Sequence, residues 1–235
     1  MCTLIYLPLE GDYRAAIGLN RDEAYGRASA PPRWWPAQGG GAGFVAPVDL
    51  VAGGTWFGVN ENALFVALTN GHQAGAFRHE RSRGELVGAA LRCDSIDGAV
   101  RELTSRDALA YAPCHVLLAQ QGRVGYVAPD GEGCFGARWL DNGPHTLTNE
   151  GLDQRDTPPL PARLDAAAPV EALRPVLASH DGAHARCRHG DTRGTVSSAV
   201  LMLGENLGAS RLSFAGGRPC VTPYVEVALR SRART

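Results

Sequence analysis

The sequence contains no lysine, so its 23 basic side chains are all arginine. A Schiff-base lysine and a phosphate-loop lysine are therefore excluded as its chemical engine. An excess of one charge is also missing. The 24 acidic residues leave a net charge of −1, which gives no electrostatic ground for a nucleic acid or an anionic membrane as partner. No apolar run approaches the ~18 residues that span a bilayer. Glu10 and Asp12 interrupt the amino-terminal apolar run too early for a secretory leader. The six cysteines, at 2, 93, 114, 134, 187 and 220, include no Cys-x-x-Cys pair, which argues against a zinc ribbon, a thioredoxin-like motif or a disulfide scaffold. The expectation is a reduced, cytoplasmic chain, folded as a single domain over residues 1–235 and long enough to bury a substantial core.

What is present begins at the second position. Cys2 follows Met1 directly and opens the apolar run Thr3-Leu4-Ile5-Tyr6-Leu7. Cys is small enough there for an aminopeptidase to remove the methionine. The new terminus would carry a thiol and a free α-amine on one residue. A thiol titrates near ~8.5 and an α-amine near ~7.7–8.0, so the amine can take the proton of its own side chain.

Residues 3–8 and 13–19 read as two strands, and Leu9-Glu10-Gly11-Asp12 between them carries turn chemistry. Such a hairpin brings Cys2 opposite about position 19 and sets Asn20-Arg21-Asp22-Glu23, at the strand end, beside the thiol. Further along, the Pro- and Gly-rich stretch from Ala30 to Gly41 reads as a surface loop whose Trp34-Trp35 pair either lines a ligand mouth or covers core. A second hairpin runs through Thr55–Val59 and Ala63–Leu68 and ends at Thr69-Asn70. Ser82-Arg83-Gly84-Glu85 has the form of a capping box, and Ser95 of a second helix cap. Strands are expected at 116–119, 124–128, 145–148, 196–203, 211–215 and 221–227, and one or two helices over 158–178, broken near Pro169. This order predicts an α+β protein, two antiparallel sheets packed face to face with helices outside.

One other window is rich in metal-ligand residue types: His180, His184, Cys187 and His189, with Asp181 and Asp191. Gly182 and Gly190 break it, and it reads as a solvated loop without a metal.

Asn20-Arg21-Asp22-Glu23, Gly53-Gly54-Thr55-Trp56-Phe57-Gly58-Val59, Ala67-Leu68-Thr69-Asn70, Ser82-Arg83-Gly84-Glu85-Leu86 and Leu147-Thr148-Asn149 resemble, in order, the motifs of the NRDE family, also called the transport and Golgi organisation protein 2 family. Met1-Cys2-Thr3, Gly18-x-Asn20-x-Asp22, Gly58-Val59-Asn60-Glu61 and the two Asn-terminated segments also resemble the cholylglycine hydrolase and penicillin V acylase group. Those are N-terminal-cysteine enzymes of αββα architecture that cleave non-peptide amide bonds. The resemblance implies a four-layer αββα sandwich of the Ntn-hydrolase type. Cys2 would be the nucleophile and its freed amine the base. Asp22 would hold that amine, and Asn70 and Asn149 would supply donors to the oxyanion. The group carries an Arg where this chain has Leu19; Arg21 lies two positions on, on the same strand face but ~6–7 Å away. Asn20, Trp34, Trp56 and, as a loose counterpart of a later Arg, Arg193 are the candidate substrate contacts. No metal or cofactor is implied. The expected partner is a small acylated substrate or, on a non-catalytic version of the frame, an apolar ligand such as haem or an acyl group.

Overall fold

The computed structural model describes residues 2–154, 168–182 and 185–229. Strands β1 (Thr3–Pro8) and β2 (Ala15–Ala24) form the expected hairpin, with Thr3 opposite Asn20 and Pro8 opposite Ala15. β1 is a continuous apolar run because both of its faces are covered. Leu4 and Tyr6 face the second sheet, while Ile5 and Leu7 face helix α3 (Pro169–Leu177). Strands β10 (His145–Thr148) and β11 (Gly151–Leu152) extend this sheet beyond β1. Strands β12 (Arg193–Leu203), β13 (Arg211–Ala215) and β14 (Val225–Val227) extend it beyond β2, in the antiparallel order β11-β10-β1-β2-β12-β13-β14.

The second sheet is an antiparallel meander of β3 (Ser29–Trp35), β4 (Phe44–Asp49), β5 (Phe57–Asn60), β6 (Phe65–Asn70), β7 (Cys114–Gln120), β8 (Arg123–Pro129) and β9 (Phe135–Trp139). Helices α1 (Gly84–Leu91) and α2 (Ile96–Thr104) cover its outer face through Leu86, Leu91, Ile96 and Leu103. Leu4, Tyr6, Ile17 and Leu19 of the first sheet pack against Phe57, Val59, Phe65 and Leu117 of the second. Three apolar interfaces thus separate four layers, which is the predicted α+β αββα sandwich.

Four local expectations change. The stretch taken as a loop from Ala30 starts as edge strand β3, which pairs only with β4. Its register shifts between Ala30 and Arg33, so Pro31 and Pro32 sit in a bulge on an edge, where missing N–H donors cost nothing. Asn20–Glu23 lies inside the closing part of β2 rather than beyond it, since the strand runs past Leu19 to Ala24 with β12 paired along its other side. The Ser82 capping box does not form. Ser82 Oγ accepts from Gly84 N, and Glu85 accepts from Arg81 Nε at 2.9 Å instead of turning back to the helix start. Pro169 starts α3 rather than breaking a helix, as its locked φ and absent N–H favour at a first helical position. Residues 158–167 lie outside the described residues. Ser95 does cap α2, accepting from Gly98 N at 3.2 Å.

Asn60, fully buried at the end of β5, holds the α1 end to the second sheet. Its Nδ2 donates to Leu91 O and Cys93 O, and its Oδ1 accepts from Asn62 N and Leu64 N, all within 3.0 Å. Asn60→Ala orphans buried groups on both sides. It is expected to lower the unfolding free energy by about 2–4 kcal/mol, read as a lower urea midpoint with unchanged slope. An unchanged midpoint would contradict this bracket.

Candidate active site

The strand register builds the site. β1 lies between β2 and β10, with Thr3 opposite both Asn20 and Thr148. One residue further out, Cys2 falls between Arg21 and Asn149. Cys2 N–H donates to Asn149 Oδ1 at 3.1 Å, and Sγ lies 3.7 Å from Asp22 O as a weak donor. Cys2 is in phase with Leu4 and Tyr6, so it looks into the gap between the sheets. Arg21 shares that gap with Leu19. Asn20 and Asp22 are in phase with Gly18, whose α-carbon backs onto Leu177 of α3. The four consecutive polar residues are therefore split between two faces of β2.

Burial is the main force on the chemistry. It pushes the Cys2 thiol above its ordinary value, and the Asp22 charge pushes the same way; a hydrogen bond to the Asp22 backbone and the Arg21 charge offset only part. Asp22 itself is raised by burial, against the lowering effects of its Thr195 partner and of Arg188. Thr195 Oγ1 donates to Asp22 Oδ1 at 2.6 Å, and Arg188 Nε stands 3.9 Å from Oδ2.

A cleft of about 370 Å³ opens over Cys2, lined among others by Arg21, Asp22, Asp49, Trp56, Asn70 and Arg83. Asn70 ends β6. Beside it, Thr69 Oγ1 donates to Thr148 O at 2.9 Å across the sheet gap, so one hydrogen bond fixes the spacing of the residues that precede Asn70 and Asn149. Arg21 Nη2 pairs with Asp49 Oδ2 at 3.2 Å, and its guanidinium lies 4.3 Å over the Trp56 ring. Arg27 Nε shares Asp49 Oδ2 at 2.7 Å. Asp49 experiences an upward push from burial, outweighed by hydrogen bonds from Arg27 and the Ala52 and Val51 N–H groups, so it stays below the usual carboxylate range.

Cys2, Arg21, Asp22, Asn70, Asn149 and Trp56 thus converge at one end of the sandwich. Asn20, Trp34 and Arg193 do not. Asn20 is buried behind β2, where its Nδ2 donates to Leu177 O and Arg186 O. Trp34 pairs with Val45 in β3 and packs on the inter-sheet core. Arg193 is exposed, 3.5 Å from Glu23, and lines a separate cavity behind Asp22. Sequence reasoning missed Asp49, Arg27, Arg83 and Thr195. Asp49 carries a turn signature, its Oδ1 accepting from Val51 N and Ala52 N. Arg83 lay inside a motif read as a helix cap and as part of the family pattern, with no role given to its own side chain. The residues able to share a metal ion are not those of the cleft: among the described residues, His180, Cys187, His189 and Cys220 come together on the far side of Asp22.

Solved structures share this architecture. The Caenorhabditis elegans ortholog of N-acylethanolamine-hydrolyzing acid amidase matches over 86% of this chain and 92% of its own, with a TM-score of 0.57 and 14% identity. A variant of the conjugated bile acid hydrolase from Clostridium perfringens matches over 96% and 92%, with a TM-score of 0.60 and 12% identity. The fold is that of the N-terminal-nucleophile hydrolases. Within it, the sequence pattern of Transport and Golgi organisation 2 covers residues 1–163, and the chain belongs to that family. A Transport and Golgi organization protein 2 homolog from Bos taurus is 34% identical over 82 residues, 35% of this chain. The matched segment spans 30% of that relative's length. No helix among the described residues is long and apolar enough to cross a membrane.

Proposed function

We propose that this chain is a cysteine amidohydrolase that cleaves a non-peptide C–N bond in a small acylated substrate once Met1 has been removed. The observation that carries this reading is the position of Cys2. Its sulfur, its nitrogen, the Asn149 amide and the backbone of Asp22 meet within hydrogen-bonding reach, at the end of two paired sheets that also bring Asn70 to the same cleft.

Burial pushes the Cys2 thiol up from its ordinary value, so attack needs a base at the sulfur. The freed α-amine of Cys2 is that base, and it stays attached at short range whatever the side chain does. The amine takes the thiol proton as Sγ bonds to the substrate carbonyl carbon. The carbonyl oxygen becomes an oxyanion, met by amide N–H donors of Asn70 and Asn149. Collapse expels the amine half of the substrate, which receives the proton from the ammonium and leaves an S-acyl enzyme. A water then gives its proton to the same amine, attacks the thioester carbon, and the carboxylic acid leaves as the thiol reforms. The Asn149 carbonyl oxygen supports the process by accepting from the Cys2 nitrogen, while Asp22 orients the amine.

The guanidiniums of Arg21, Arg27 and Arg83 around the cleft favour a substrate with a polar or anionic group. A wholly apolar occupant, one with no polar or anionic group to meet them, would leave these charges desolvated, which is costly. Only Trp56 of the expected aromatic wall lines this space, and Arg21 covers part of its ring.

Two linked measurements test the reading. Mass spectrometry of the purified chain should show Met1 absent. A haloacetamide at neutral pH should then modify Cys2 faster than the exposed thiol of Cys134. Cys114, pushed up to about 12 by burial, should stay unmodified. With residues appended before Cys2, the order should reverse and Cys134 should react first. Retained Met1, or a Cys2 rate that ignores the appended residues, would defeat the mechanism.

A further inference from the structure

His180, Cys187, His189 and Cys220 come from three separate stretches of chain. His180 follows α3, Cys187 and His189 lie on the segment entering β12, and Cys220 sits in the turn after β13. Each offers one donor atom, and the four atoms lie within 4.8 Å of one another. The sulfur atoms of Cys187 and Cys220 are 3.6 Å apart, and each is 3.4 Å from His189 Nε2.

Those three separations match the edges of one face of a coordination tetrahedron. An ion with bonds of ~2.3 Å to sulfur and ~2.0–2.1 Å to imidazole nitrogen places its sulfurs roughly 3.8 Å apart and its S···N edges at roughly 3.5 Å. Three donors already stand close to these values. The fourth, His180, meets His189 edge-on with ring centroids 4.8 Å apart, and a side-chain rotation completes the set. We propose that these four side chains form a closed, four-ligand site for a borderline-soft divalent cation of the zinc class.

The donor chemistry selects the ion. Two thiolates and two imidazoles in a tetrahedron suit zinc, whereas magnesium, calcium and manganese prefer oxygen donors. Two thiolates also neutralise the dication, which matters beside Arg188, Arg193 and Arg218. The Cys187-x-His189 spacing is a chelate on extended backbone, where residues two apart share a face. One group must move. Arg218 Nη1 lies 3.2 Å from His189 Nδ1, as donor to a ring whose proton is on Nε2. With Nε2 on the ion, Nδ1 carries the proton and Arg218 turns its N–H elsewhere.

The placement gives the ion a task. Cys187 is flanked by Arg186, whose carbonyl receives Asn20 Nδ2, and by Arg188, whose N–H donates to Thr195 Oγ1 at 2.9 Å. Thr195 in turn donates to Asp22. The ion would clip this segment to the end of α3 and to the turn bearing Cys220, fixing the backing of Asp22 from behind.

The full chain, purified under reducing conditions and stripped with a chelator, is titrated with cobalt(II), then with zinc(II) against a chromophoric chelator. One equivalent of cobalt should bind with the ligand-field bands of a tetrahedral ion and a thiolate-to-cobalt charge-transfer band. One equivalent of zinc should bleach both. Cys187→Ser and Cys220→Ser should each weaken zinc binding by more than the ~10–100-fold that loss of an outer-shell partner brings, and should halve the charge-transfer band. Cys93→Ser should change neither. Absence of a tetrahedral cobalt spectrum in the reduced wild-type chain would overturn the site. So would a spectrum untouched by both serine variants, or a Cys187–Cys220 disulfide in a chain that takes up no metal when reduced.

Discussion

Asp22→Asn is expected to slow acylation of Cys2 by about 10²–10⁴-fold, the usual contribution of a positioned proton-transfer system. The readout is the rate at which a p-nitrophenyl ester of a short fatty acid adds its acyl group to the trimmed chain. Asparagine keeps the shape of the side chain and can still accept from Thr195 Oγ1, so folding is preserved. What it loses is the buried negative charge. Without that charge the α-ammonium of Cys2 would lose the anion that the proposed mechanism assigns to it. The pH profile separates this role from a structural one. A carboxylate favours the ammonium form of its neighbour and raises the amine's pKa. Removing the carboxylate should move the rising limb of the amine to lower pH as the rate falls. The wild-type chain should show a further loss of rate as pH falls through the Asp22 pKa, which burial holds above the ordinary 3.8. The variant should lack that limb. A wild-type rate, or a slower one with an unmoved profile, would remove Asp22 from the mechanism.

Asn70→Ala is expected to cost about 10²–10³-fold in the same acylation, equivalent to ~2.7–4 kcal/mol of transition-state stabilisation. In the proposed mechanism the amide at the end of β6 would meet the developing oxyanion rather than the resting thiol. The haloacetamide rate at Cys2 should therefore stay unchanged, because alkylation builds no oxyanion. Asn149→Ala should slow both reactions, since its Oδ1 also accepts from the Cys2 nitrogen. An equal fall of both rates in Asn70→Ala would instead point to a collapsed cleft.

Much of the frame was legible because its signals are local. The two strands of the first hairpin, the Ser95 cap and the β7–β8 turn each rest on neighbouring residues. The αββα layering followed from the order of these elements and from the family resemblance. The register of Cys2 was read to within two residues, and the true pairing brings Arg21 rather than Leu19 opposite it. Other features depend on contacts distant in sequence. Asn20 and Asp22 share a strand face with Gly18, yet whether that face meets a cleft or a helix depends on α3, more than 140 residues later. Trp34 looked like a loop aromatic because two prolines hid an edge strand. Arg83 and Asp49 reach the cleft only once α1 and the β4 turn are placed. Cys220 lies 31 residues beyond His189, so its approach to the window around Cys187, read as a solvated loop because Gly182 and Gly190 break it, had no local signal.

In the proposed mechanism the amine exposed by loss of Met1 activates the sulfur of Cys2. The most direct test of that step is intact-mass analysis of acyl transfer from the p-nitrophenyl ester to two forms of the chain, one beginning at Cys2 and one carrying a short extension before it. A single acyl group on the trimmed form, absent after Cys2→Ala and absent from the extended form, is the predicted result. Equal acylation of both forms, or acylation that survives Cys2→Ala, would contradict it.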